Sequence, residues 1–337
     1  MNQPIIDHRT TSLSHWVKEK LNIEQMELSV ASADASFRRY FRIRHNGQSW
    51  IAMDAPPDKE DIKPFIKVAT AFHSINVNVP EIFAYDLAQG FMLIEDFGHQ
   101  CYQDLLTAAN AEKLYADAMK ALLELQTHTK PTDVTFPPYD NALLMREMQL
   151  FIDWFLIKHL AIDIDSIQQS ILTNTFEELA ANALAQPQLW VHRDYHSRNL
   201  MVIDEDNPGI IDFQDAVVGA VTYDLVSLLR DCYIAWPLAQ VESWVMSYLS
   251  QLQARGICSQ VDEAQFMKWF DLMGMQRHLK AIGIFSRLNY RDGKAGYLAD
   301  IPRTLNYVRY VATKYPEFED FHRLLADRIL PVMLQKE

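Results

Sequence analysis

The run Leu189-Trp-Val-His-Arg-Asp-Tyr-His-Ser-Arg-Asn-Leu-Met-Val202 decides how the rest of the chain is read. An apolar stretch delivers His192-Arg193-Asp194, four residues follow, and Asn199 opens a second apolar stretch. Downstream, Gly209-Ile-Ile-Asp-Phe-Gln-Asp215 repeats the plan, with a short β-prone run ending in Asp212. An aspartate closing a tight loop can accept a proton from a hydroxyl lined up with a γ-phosphate. An asparagine five positions later, where the chain turns back into a strand, can offer its amide oxygen to Mg²⁺. A further aspartate on the next strand supplies the hard anionic ligand that bridges the metal to the β- and γ-phosphates. The spacing H-R-D-x-x-x-x-N followed by D-F-x therefore predicts phosphoryl transfer, with Asp194 as general base and Asn199 and Asp212 as metal ligands.

These residues resemble the aminoglycoside phosphotransferase family, a branch of the protein-kinase-like fold. Five blocks carry the likeness, from about Asp34 to Pro302: Asp34-Ala-Ser-Phe-Arg-Arg-Tyr-Phe-Arg42, Met53-Asp-Ala-Pro-Pro57, Val191-His-Arg-Asp-Tyr195, Asp212-Phe-Gln-Asp-Ala216 and Leu272–Phe285. The first, second and last look like one subgroup, the anomeric amino-sugar kinases of bacterial cell-wall recycling. The resemblance implies ATP and Mg²⁺ as cofactors and a small sugar as substrate. It further implies phosphorylation of the anomeric hydroxyl of N-acetylmuramate and N-acetylglucosamine. By the same resemblance, Asp224 is the aspartate that braces the catalytic loop.

The expected fold class is α+β: a bilobal protein-kinase-like fold with a five-stranded antiparallel sheet in a small N-lobe (1–96) and a larger, mainly helical C-lobe (97–337). A helix over Ser12–Leu21 places Leu13, Trp16, Val17 and Leu21 on one face. β-like runs follow at Met26–Ala31, Arg39–Arg44, Trp50–Asp54, Ile82–Leu87 and Phe91–Glu95, with a helix at Lys59–Ile75 between the third and fourth. The linker Ser32-Ala-Asp-Ala-Ser36 holds no glycine. Ser32, Ser36, Arg39 and Arg42 are therefore the candidate phosphate contacts, although the arginines read equally well as a solvated strand face. Asp54 stands where kinases of this type carry a phosphate-pairing lysine, and Lys63 or Lys67 is its expected partner. Leu93-Ile-Glu-Asp-Phe-Gly98 reads as the hinge, with backbone near Glu95 and Phe97 facing an adenine edge.

Beyond the hinge the periodicity turns helical: Ala111–Gln126, Asn141–His159, Ile164–Leu184, Tyr223–Arg230, Leu238–Arg255 and Asp262–Tyr290. The C-lobe is expected to hold the catalytic loop, the metal site and an acceptor-binding helical section. Phe151, Trp154 and Phe155 read as core. Between Asp212 and the helix at Tyr223 no room remains for a peptide platform, and no A-P-E anchor follows. A small-molecule kinase is favoured over a protein kinase, and intact Asp194, Asn199 and Asp212 weigh against a non-catalytic nucleotide-binding regulator. Between Gln276 and Arg303 six basic residues face two acidic ones. That balance favours a neutral or anionic acceptor over a polycationic aminoglycoside or choline, with Arg277, His278, Arg287, Tyr290 and Arg291 as candidate substrate contacts.

The chain has 337 residues, enough for two lobes. A net charge of −13 argues against a nucleic-acid partner. Cys101, Cys232 and Cys258 show neither metal nor disulfide spacing and are expected as free thiols in a reducing compartment. With no basic-then-apolar leader and no apolar run of membrane length, a cytoplasmic monomer without a membrane partner is expected.

Overall fold

The computed structural model describes residues 7–33, 37–128 and 134–335, with only the backbone of residues 32 and 33. Contacts divide the chain into two compact units. The first comprises residues 1–124, 129–135 and 198–215; the second comprises 125–128, 136–197 and 216–337. The first unit thus extends past the expected boundary at residue 96 and reclaims the chain at Arg198.

The first unit is built on five antiparallel strands: β1 (Glu27–Ala33), β2 (Arg39–His45), β3 (Gln48–Asp54), β4 (Ile82–Asp86) and β5 (Phe91–Glu95), ordered β1-β2-β3-β5-β4. Helix α1 (His8–Leu21) covers one face, placing Leu13, Trp16 and Val17 on Phe41, Ile43, Ala52, Phe91 and Leu93. Burial of Leu13 and of Val17 stabilises the unit by roughly 1.5–3 kcal/mol each. This helix starts four residues before the expected Ser12 because Asp7 caps it, its carboxylate accepting the Thr10 N–H at 2.7 Å. Gly90 closes the β4–β5 turn at φ +69°; a Cβ there would stand 1.9 Å from the Ala55 carbonyl oxygen. Helix α2 (Lys63–Ser74), the short α3 (Tyr102–Leu105) and most of α4 (Ala111–Thr127) complete the unit with the hairpin of β7 (Leu200–Met201) and β8 (Gly209–Ile210). Phe213, just past that hairpin, packs its ring against Phe65 and Phe72 of α2.

In the second unit β6 (Gln188–Val191) pairs with β9 (Val217–Ala220), and helices surround them: α5 (Asn141–Leu150), α6 (Ser166–Leu184), α7 (Tyr223–Leu229), α8 (Leu238–Ala254), α9 (Glu263–Asp292) and α10 (Ile301–Lys314). The expected single helix Asn141–His159 changes at Phe151 into nine residues of π-helix. At that change Gly283 of α9 presses on Leu150, where a Cβ would meet the Leu150 carbonyl carbon at 2.4 Å. Phe151 and Phe155 are fully buried, in agreement with the core reading, whereas Trp154 between them is only partly buried. No helix among the described residues is long and apolar enough to cross a membrane.

Candidate active site

The first unit contains a cavity of about 460 Å³. Its walls are apolar where Ile51, Ile94, Met201, Ile211 and Phe213 contribute, and polar at Asn199 and Asp212. Glu95 and Phe97 line it as well. Gly209 lets the β7–β8 hairpin approach the Phe97 ring, since a Cβ there would stand 2.5 Å from it. Apolar walls with a polar end suit a planar heterocycle joined to phosphates.

At the polar end Asp212 sits at φ +63°, a strained region for a non-glycine residue. Its Oδ1 accepts the Gln214 side-chain N–H at 2.6 Å, and its Oδ2 lies 3.5 Å from the Asn199 amide nitrogen. The Ile211 N–H donates to the Asn199 carbonyl at 3.0 Å, tying the two together. A half-turn of the Asn199 amide would present its oxygen beside that carboxylate. One anionic and one neutral oxygen leave most positions around Mg²⁺ to water and phosphate, as suits this ion at phosphoryl-transfer sites. The described residues contain no cluster of three or more His, Cys, Asp or Glu side chains able to bind a metal without such help.

The expected phosphate contacts are rearranged. Asp54 is fully buried and is paired not with Lys63 or Lys67 but with Arg9 of α1 and Arg39 of β2. Arg39 stands directly across the strand pair from Asp54, and its other nitrogens reach Asp7, so it lies away from the cavity lining. Lys67 instead donates to the Thr135 carbonyl at 2.7 Å. Arg42 does line the cavity, yet its guanidinium grips Asp96 at 2.7 and 2.9 Å and donates to the Gly98 carbonyl. It therefore ties β2 to the segment that follows β5, with its charge offset by Asp96 there. Ser36 lies outside the described residues, and Ser32 is described only as backbone opposite Tyr40. Sequence reasoning passed over Arg198, a cation of the cavity wall that donates to the Gln103 side chain at 2.7 Å. Its position beside Asn199 was the available signal.

The second unit carries Asp194. The loop is held by two buried carboxylates. Asp224 accepts the His192 and Arg193 N–H groups at 2.6 and 3.1 Å, and Asp231 accepts the Ser197 N–H at 3.0 Å and its hydroxyl at 2.5 Å. Burial pushes the Asp224 carboxyl up to about 7 despite these donors. Burial also works to raise Asp194, but the charges of Lys280, His196, Arg277 and His192 outweigh it and hold the carboxyl below its usual value. Asp194 is thus anionic at neutral pH, as a proton acceptor must be.

Arg193 adopts φ +78°, which costs roughly 1–3 kcal/mol for a residue with a side chain. Besides the Asp224 bond, its guanidinium is fixed by buried Glu147 at 2.5 Å. Glu147 also accepts the Tyr139 hydroxyl and lies 3.3 Å from the Lys280 ammonium, which donates to the Tyr223 hydroxyl at 3.0 Å. In the sequence Lys280 counted only as one of the six basic residues between Gln276 and Arg303, and Glu147 did not stand out, because charged residues of an amphipathic helix default to its solvated face.

The five expected acceptor contacts do not converge. Arg277 is 6% exposed and close enough to Asp194 to lower its pKa. His278 is sealed in the core: Nε2 meets the Arg230 carbonyl at 2.8 Å, the ring stacks on Tyr307, and burial drives its pKa down to about 3. It packs α9 against α10 and does not serve as a sugar donor. Arg291 is an exposed residue paired with Asp292 at 2.9 Å, and lies about 21 Å along the helix axis from Arg277. Arg287 is half-buried, and Tyr290 bonds His159 at 3.2 Å. All three lie ten residues or more beyond Arg277 on α9.

A kinase-like sheet unit with a nucleotide-sized cavity, and a helical unit carrying a buried, ionised carboxylate, agree with one class: a phosphotransferase acting on hydroxyl groups. The model of the phosphotransferase enzyme family matches residues 27–258, and the chain belongs to this family. It is 43% identical over 334 residues to the N-acetylmuramate/N-acetylglucosamine kinase of Pseudomonas putida, spanning 96% of this chain and 98% of that protein. It is 44% identical over 302 residues to the enzyme of the same name from Pseudomonas aeruginosa, spanning 89% and 88%. An ethanolamine kinase from Plasmodium vivax shares the fold at a TM-score of 0.64, with 12% identity over 93% of this chain and 89% of that one. An ADP-bound aminoglycoside phosphotransferase, APH(2'')-Ib, does so at 0.59, with 13% identity over 90% and 98%.

Proposed function

We infer that this enzyme transfers the γ-phosphoryl group of ATP to the anomeric hydroxyl of N-acetylmuramate and of N-acetylglucosamine, giving sugar 1-phosphates and ADP. The observation that carries the sugar assignment is the near-full-length identity to relatives bearing that name. The nucleotide base would lie among the apolar walls of the first-unit cavity, near Glu95 and Phe97. Asn199 and Asp212 would hold Mg²⁺, which when bound offsets charge on the phosphates. Asp194 accepts the proton of the sugar hydroxyl as the oxygen–phosphorus bond forms and the bond to the ADP oxygen breaks. Arg193, pinned by Glu147 and Asp224, fixes the loop so that the carboxylate need not reorganise. Buried cations Arg277 and Lys280 keep that carboxylate ionised and make the acceptor side hostile to a polycation. A cytoplasmic monomer accords with this role.

The test is a substrate panel. Purified enzyme with ATP and Mg²⁺ should turn over N-acetylmuramate and N-acetylglucosamine, and leave kanamycin and choline untouched. Turnover with the cations alone would contradict the proposal.

A further inference from the structure

Arg277 presents an anomaly of burial. Taking a guanidinium out of water is costly unless a carboxylate or several good acceptors replace the lost hydration. The buried cations elsewhere in this unit obey the rule: Arg230 pairs with Asp271 at 2.6 Å, and Lys280 sits between Glu147 and the Tyr223 hydroxyl. Arg277 is only 6% exposed, yet among the described residues its hydrogen-bond acceptor is the Cys232 thiol at 3.6 Å, a weak one, and no carboxylate lies within ion-pair distance. Nearby carboxylates are committed elsewhere. Asp231 holds Ser197 of the catalytic loop and the Tyr233 N–H, and Asp224 holds His192 and Arg193. The Cys232 carbonyl is taken by Arg303 at 2.9 Å. The chain Ser197–Asp231–Cys232–Arg277 places this cation alongside the loop that bears Asp194, where the acceptor hydroxyl must come.

Resting on the proposed sugar kinase function, we propose that Arg277 is the specificity residue that binds the carboxylate of the acceptor, the lactyl group of N-acetylmuramate. A planar fork matches a carboxylate with two parallel hydrogen bonds, and prior burial removes the water that would weaken them. N-acetylglucosamine lacks the carboxylate and is held by its ring alone, so both sugars react but only one uses this contact. Arg287 and Arg291, the basic residues otherwise available on α9, lie about 15 and 21 Å further along the axis.

The experiment compares wild type, Arg277→Met and Arg277→Lys on both sugars. In Arg277→Met the ratio of kcat/KM for N-acetylmuramate over N-acetylglucosamine should fall roughly 30-fold or more, mostly through KM for N-acetylmuramate. Arg277→Lys should recover part of it. Equal losses for both sugars, with the acid limb of the pH profile displaced, would show that Arg277 acts only through Asp194 and would overturn the proposal. So would an unmoved ratio. Should Arg277→Met fail to fold, the wild type still decides: the methyl ester of N-acetylmuramate should bind about as weakly as N-acetylglucosamine, and an ester that binds as tightly as the acid refutes the contact. A wild type inactive on both sugars would overturn the proposed function itself, and this inference with it.

Discussion

Asp194 and His278 show how burial assigns opposite fates to two titratable side chains of one unit. Burial works to raise Asp194, but the surrounding positive charges reverse the effect and hold its carboxyl below the usual value, so the ionised form is lost only as pH falls through that depressed pKa. Asp194→Asn should lower kcat by roughly 100-fold or more while leaving ATP binding intact, measured by steady-state kinetics and nucleotide titration. For His278 burial, aided by the charge of Arg277, outweighs its bond to the Arg230 carbonyl and leaves it neutral, with a pKa of about 3. A histidine neutral when folded and ordinary when unfolded contributes stability that is whole above about pH 6.5 and is lost as pH falls toward 3. At pH 5 the loss is about 2 kcal/mol. His278→Gln should therefore flatten the decline in melting temperature between pH 7 and pH 5; an unchanged slope would count against this assignment. The spacing of Asp194, Asn199 and Asp212 stood out because those residue types at those intervals suit phosphoryl transfer, and the family match agrees with that class of reaction. The burial of His278 and Arg277 did not, because on a helix read alone a polar residue is assigned to solvent.

The link between α1 and the sheet depends on an inverted charge. Where a lysine was expected, Asp54 on β3 gathers Arg9 from α1 and Arg39 from β2, and Arg9 also reaches the Gln89 carbonyl at 2.7 Å. Asp54→Lys would place three cations together in a buried site and should cost about 3–5 kcal/mol, read from denaturant unfolding. Tighter ATP binding with improved turnover would instead mean that the position belongs to the phosphate site. Sequence periodicity located every strand of the sheet to within about two residues. It placed the partner of Asp54 on α2, the neighbouring helix in sequence, because the position of α1 depends on long-range packing. Glu147 is a second such link, joining α5, α9 and the loop through Lys280 and Arg193. Glu147→Gln should lower kcat roughly 10- to 100-fold with KM for ATP little changed, because a strained Arg193 loses its anchor. Full activity in that variant would show that Asp224 alone positions the loop.

At the scale of the whole molecule, the sheet-then-helices order of the periodic segments revealed the fold class, and the family match bears it out. A single boundary near residue 96 could not describe the two units, because the chain returns to the first at Arg198, where the β7–β8 hairpin and Phe213 pack with Phe97 and α2. That return places Asn199 and Asp212 in the unit that holds the nucleotide-sized cavity and leaves Asp194, five residues earlier, in the other. The direct test of the central claim is to locate the phosphate on the product of N-acetylmuramate, ATP and Mg²⁺ by phosphorus–proton coupling. Transfer to the anomeric oxygen should give a phosphorus resonance coupled to the single anomeric proton, absent when Asp194→Asn replaces the wild type. Coupling to the two protons of the 6-methylene, or a product that forms equally without Asp194, would contradict it.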